Sequence, residues 1–205
     1  MWFVNPRRKT REISLLGTRA WEVDAVFNHP GRIWAWIAQQ STNGLHLGQQ
    51  PGSRNGRDFI DRRHKISVPR LEELDRLIYS LCGQAPVEPH TFVSNVTRLV
   101  NTEYNSRAQN HYWWPHRDPG YTAIIYWDMD RTNVYTELAP DPNVIDGIAE
   151  HVDPWRPQRY YDLVHQFQGQ PNRMVLFDGR LLHGMDHDPR YFQHQRVTMV
   201  NFYME

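Results

Sequence analysis

The chain has 205 residues, enough for one domain with a sizeable core and short for two. Its 23 basic and 23 acidic residues cancel, which removes any global attraction to nucleic acid or an anionic membrane and leaves a small molecule or peptide as the expected partner. A single cysteine, Cys82, excludes an internal disulfide framework and fits a reducing, cytoplasmic setting.

The apolar start Met1-Trp2-Phe3-Val4 precedes its basic residues, the wrong order for a secretory signal. No later stretch approaches the roughly 20 apolar residues of a membrane span. From Pro30, the residues Ile33, Trp34 and Ile37 recur at helical spacing and predict a first helix. Residues 41–64 are rich in Gly, Asn, Gln and Arg without apolar periodicity, so they read as a long loop and a possible lid. From Pro69, the spacing of Leu71, Leu74, Leu77, Ile78 and Leu81, with Gly83 just beyond, predicts a second helix with a glycine stop. Residues 1–90 are thus expected to be helical support.

After Pro89 the texture becomes β-branched and aromatic. Strands are predicted over 91–100, 111–115, 121–127, 133–138, 172–177 and 195–203, with the second half of 155–167 read as helical. Many short strands with two or three helices in front of them indicate a mostly β (α+β) domain, a sandwich or barrel. With eight Trp in the chain, an aromatic-lined cavity or sheet core is expected, and Trp113, Trp114 and Trp127 beside Arg117 and Arg180 could line a substrate site.

In an extended segment His116 and Asp118 point to the same side and can share one ion. His183 follows a buried-looking strand and an Asp178-Gly179-Arg180 turn, where a third ligand could sit, with His187 and His194 as competitors for that position and His111 as one for the first. Two imidazoles and one carboxylate can hold one face of an iron ion, or a zinc ion in a hydrolase, and a non-catalytic jelly-roll binding module is a further alternative. Arg196 and Thr198 alternate onto one face of the last strand, where a guanidinium could grip a carboxylate in bidentate fashion.

These pieces occur in an order that resembles the Fe(II)/2-oxoglutarate-dependent oxygenases of the prolyl-hydroxylase-like branch. The resemblance covers residues 92–204. It rests on His116-Arg117-Asp118, on 122–128, on 136–138, on 173–177 leading to Leu182-His183, and on 196–203. It implies a double-stranded β-helix, a cupin-like jelly roll, with residues 91–205 as its core in a single domain spanning 1–205. It implies that His116, Asp118 and His183 bind Fe(II), that Arg196 with Thr198 anchors the distal carboxylate of 2-oxoglutarate, and that Tyr126 supports that carboxylate. Dioxygen is the second co-substrate, and the implied reaction couples oxidative decarboxylation of 2-oxoglutarate to hydroxylation of an unactivated C–H bond in an amino acid, peptide or small natural product. The Asp118 carboxylate favours hydroxylation, since the related halogenases lack this ligand. Family members often carry a tyrosine three residues before the first ligand; here that residue is Trp113.

Overall fold

The computed structural model describes residues 2–40, 59–68, 70–86, 91–99, 109–113, 115–141, 155–186 and 195–204. The chain opens not with helix but with a hairpin, β1 (Lys9–Leu15) and β2 (Thr18–Asp24). Its two-residue turn, Leu16-Gly17, has both φ angles positive, at 52° and 79°. That backbone matches the twist of the paired strands. The helices α1 (Pro30–Gln40) and α2 (Glu72–Cys82) flank β3 (Phe59–Ser67), and β4 (Ala85–Pro86) and β5 (Thr91–Leu99) follow. The remaining strands are β6 (His111–Trp113), β7 (Tyr121–Tyr126), β8 (Asp130–Glu137), β9 (Trp155–Pro157), β10 (Tyr161–Gly169), β11 (Arg173–Asp178), β12 (Leu182–Met185) and β13 (Gln195–Met204).

Among the described residues every strand pairing is antiparallel. The major sheet runs β1-β2-β11-β7-β13-β5-β3, with β4 beside β13; a three-stranded sheet runs β10-β8-β12, and β6 pairs with β9. Two facing antiparallel sheets of this order are the predicted jelly roll.

The central strands β7 and β11 of the major sheet are buried on both faces, and side-chain alternation there divides the core in two. On one side Ala123, Ile125, Met174, Leu176, Val197 and Met199 pack against Ile33 and Ile37 of α1 and Leu74, Leu77 and Ile78 of α2. On the other, Ile124, Tyr126, Val175 and Phe177 meet Val134 and Phe167 of the smaller sheet. Helix α2 ends at Gly83, whose φ of 74° and bond from its N–H to the Tyr79 carbonyl make the predicted stop.

Three expectations need correction. Residues 1–90 are not simply helical support, because β1, β2, β3 and β4 all join the major sheet. The predicted loop 41–64 ends in a strand: β3 pairs residue for residue with β5, from Phe59 opposite Leu99 to Ser67 opposite Thr91, so backbone bonding rather than apolar alternation makes it a strand. The rest of the possible lid, residues 41–58, lies outside the described residues. Residues 155–167 are extended apart from one 3-10 turn, Gln158–Tyr160. A bulge between Leu163 and His165 shifts the register of β10 against β8 and breaks the two-residue period that would have marked the strand. Among the described residues no helix is long and apolar enough to cross a membrane.

Candidate metal centre

Two short segments carry the three candidate ligands and are laced together. His116 and His183 form an antiparallel bridge, each N–H donating to the other's carbonyl at 2.8 and 2.9 Å. The Asp118 N–H donates to the Gly179 carbonyl, and the Gly179 N–H donates to the Gly120 carbonyl, at 2.8 and 2.7 Å. The turn 178–180 therefore grips the 116–120 segment on the strand ends of β7, β11 and β12. This close approach needs glycine, since a Cβ on Gly179 would lie 2.8 Å from the Asp118 carbonyl oxygen and 2.9 Å from both Asp118 Cβ and Thr122 Oγ1.

The side chains converge as the sequence predicts. One ligand atom from each of His116, Asp118 and His183 lies within 4.8 Å of the others, and no other group of three such residues does so among the described residues. His183 is buried, His116 and Asp118 only partly, so the site opens on one side. His183 Nε2 lies 3.2 Å from Asp118 Oδ2, and His116 Nε2 lies 3.9 Å from Asp118 Oδ1. An octahedral ion with bonds of ~2.1 Å sets neighbouring ligand atoms roughly 3.0 Å apart, which the His183–Asp118 pair nearly meets and toward which His116 would have to move.

The hydrogen bonding also fits a cation. His183 Nδ1 lies 2.8 Å from the Leu181 carbonyl, which can only accept. The Nδ1 proton is thereby fixed, and in the neutral ring Nε2 turns its lone pair toward the carboxylate. Two electron-rich atoms so placed attract each other only across a cation or a proton. Burial by itself would raise the Asp118 carboxyl, but with a proton rather than an ion between the two groups, the hydrogen bond it accepts from His183, the charges of His183 and His116 and the hydrogen bond from Thr122 together bring it below its ordinary range. Asp118 is held as a carboxylate, the form that binds metal.

Phe177 packs edge-on against His183, with centroids 4.8 Å apart, and stacks on Phe167, giving the site an apolar wall. Thr198 is buried on β13, opposite Tyr126 of β7. The Tyr126 hydroxyl is 2.5 Å from Thr132 Oγ1 of β8, which ties the phenol across the roll. Gly169 leaves room for that ring, because a Cβ there would lie 2.6–2.9 Å from three of its carbons. Arg196 stands two positions before Thr198, opposite Asn95; its side chain lies outside the described part of the structure.

Other candidates are placed elsewhere. His111 sits opposite Pro157 on β6, and His187, His194 and Trp114 lie outside the described residues. Trp127 belongs to the helix-facing core, stacked on Phe27 at 6.0 Å, so it is not part of a substrate wall. The Arg180 guanidinium pairs with Asp178, and Arg117 donates to the Arg180 carbonyl. Thr122 and Gly179, both in contact with Asp118, were not foreseen; the Asp-Gly turn before Leu181-Leu182-His183 was the one available signal for Gly179.

No family model and no curated protein matches the sequence. Solved structures do match the fold. The non-heme alpha-ketoglutarate-dependent epimerase SnoN from nogalamycin biosynthesis aligns with a TM-score of 0.50 and 14% identity, over 91% of this chain and 76% of that one. The non-heme alpha-ketoglutarate-dependent carbocyclase SnoK from the same biosynthesis aligns with a TM-score of 0.50 and 13% identity, over 91% and 79%. A Pseudomonas putida prolyl-4-hydroxylase aligns with a TM-score of 0.41 and 10% identity, over 91% and 92%. The chain thus has the fold of the non-heme alpha-ketoglutarate-dependent enzymes SnoN and SnoK.

Proposed function

We propose that this chain is an Fe(II)/2-oxoglutarate-dependent dioxygenase that oxidises an unactivated C–H bond in an amino acid, a peptide or a small natural product. The observation that carries the reading is the convergence of His116, Asp118 and His183 at a partly exposed site, with His183 Nδ1 bonded to the Leu181 carbonyl. Three ligands on one face leave the opposite face of an ion open to a bidentate co-substrate and dioxygen. Bound iron, with 2-oxoglutarate and dioxygen, supplies the oxidising power for the C–H bond and yields succinate and carbon dioxide.

The protein's own part is to hold, orient and exclude. Asp118 stays ionised and His183 keeps its Nε2 lone pair forward. Phe177 and Phe167 keep water from one flank. Thr198, Tyr126 and Arg196 are the proposed anchors for the distal carboxylate of 2-oxoglutarate, with Thr132 holding the Tyr126 phenol in place. One catalytic domain, 1–205, in the cytoplasm is part of the same reading.

The test is anaerobic titration with Fe(II) and 2-oxoglutarate, following the weak visible charge-transfer band of such complexes. A band in wild type that is lost in His183→Ala supports the reading; no band in wild type, or a band unchanged in His183→Ala, overturns it. Arg196→Ala is expected to weaken 2-oxoglutarate binding while leaving iron affinity nearly intact, and equal loss of both would make the arginine structural. Because SnoN is named an epimerase and SnoK a carbocyclase, product analysis must look for inversion and ring closure as well as hydroxylation. Succinate release stimulated by a candidate substrate separates this reading from a zinc hydrolase.

A further inference from the structure

Asp118 is held more closely than metal binding alone requires. Thr122 Oγ1 donates to Asp118 Oδ2 at 3.1 Å, and the same oxygen lies 3.2 Å from His183 Nε2. Thr122 itself has little freedom. It is 1% exposed, β-branched, and fixed in register between Phe177 on one neighbouring strand and Phe202 on the other. Gly179 closes the contact from behind, since a Cβ there would lie 2.9 Å from both Asp118 Cβ and Thr122 Oγ1. The Asp118 backbone is bonded to Gly179, and the Thr122 hydroxyl restrains rotation of the carboxylate itself.

We propose that Thr122 is a positioning residue that makes Asp118 present a single oxygen to the ion, keeping free a position that the co-substrate needs. The inference rests on the oxygenase reading above. A carboxylate can bind an ion through one oxygen or two. A facial triad leaves three positions, and a co-substrate that takes two together with dioxygen fills them all. An Asp118 free to turn and chelate would occupy one of those three, strengthening its own hold on the metal while competing with 2-oxoglutarate. By fixing the rotation, the hydrogen bond to Oδ2 keeps that oxygen, 3.2 Å from His183 Nε2, as the one nearer the ion and leaves Oδ1 farther off, 3.9 Å from His116 Nε2.

The test compares wild type, Thr122→Val and Thr122→Ser. Iron affinity is read by competition with a chromogenic chelator, and 2-oxoglutarate affinity by the anaerobic charge-transfer band. In Thr122→Val, which keeps the shape and loses the donor, iron affinity is expected to be equal to wild type or higher. The 2-oxoglutarate concentration for half-saturation is expected to rise about tenfold, in the range typical of lost partners to metal ligands. Thr122→Ser, which keeps the hydroxyl, is expected to restore it. A 2-oxoglutarate titration unchanged in Thr122→Val overturns the inference alone. So does a parallel fall of iron and 2-oxoglutarate binding that serine does not rescue, which would mark a merely structural role. A wild-type protein with no band overturns the oxygenase reading, and the inference with it.

Discussion

At Gly179 a methyl group would lie 2.8 Å from the Asp118 carbonyl oxygen, against backbone that is itself hydrogen-bonded and cannot move aside. Gly179→Ala is therefore expected to weaken iron binding about 10- to 100-fold, the range typical of disturbed metal-site support, as measured by chelator competition. His165 carries a different prediction. It is half-buried beside Phe167, and burial lowers its pKa below the ordinary value. The unfolded chain then binds the proton more tightly, so His165 contributes stability that is present above about pH 6.5 and lost as pH falls through that value toward the folded one. Melting curves between about pH 7.5 and 5.5 should show His165→Gln losing less stability than wild type on acidification. At this scale the sequence was legible where chemistry is local. His116 and Asp118 share a side because strand residues two apart do so, and both reach the site. Thr122 was not legible, because its hydroxyl meets Asp118 only after residues 119 and 120 have turned the chain back.

At the scale of elements, the joints between strands are held by residues with no helical or strand period. Asn172, in the turn between β10 and β11, has a φ of 66°, accepts the Phe27 N–H on its side-chain oxygen and donates to the Phe27 carbonyl, both at 2.9 Å. Its backbone N–H bonds the Tyr126 carbonyl, and its own carbonyl accepts the Val26 N–H. One residue thus joins the N-terminal segment, β7 and β11. Asn172→Ala loses two buried hydrogen bonds and takes on left-handed strain, and should cost about 2–4 kcal/mol in urea unfolding. Gly169→Ala should cost about 1–3 kcal/mol by pressing on the Tyr126 ring, and should weaken 2-oxoglutarate binding if that phenol is an anchor. The second helix was readable because its apolar residues and glycine stop lie within one short window. The β1–β2 hairpin was not, since β1 is exposed along most of its length and shows little apolar alternation. The bulge at Leu163–His165 hid β10 in the same way.

At the scale of the molecule, the candidate metal site lies where the ends of β7, β11 and β12 meet, and the helices pack on the other face of the major sheet's central strands. Metal binding should therefore stabilise the whole roll rather than one loop. Under anaerobic conditions, Fe(II) at about 100 times its dissociation constant should add about 2.7 kcal/mol, read as a rise in melting temperature that His183→Ala abolishes. Local periodicity and turn chemistry were enough for a β-rich chain with supporting helices, because side-chain alternation and turn preference act over a few residues; they made His116, Asp118 and His183 candidates among several histidines, and only the resemblance singled them out. Which strands pair was decided only in three dimensions. The entry of β1 and β2 into the sheet, the backbone bridge that brings His183 to His116, and the closure of Gly179 over Thr122 and Asp118 join segments far apart in the chain. Their stability comes from a shared core and from hydrogen bonds across it, and no window of sequence contains both partners.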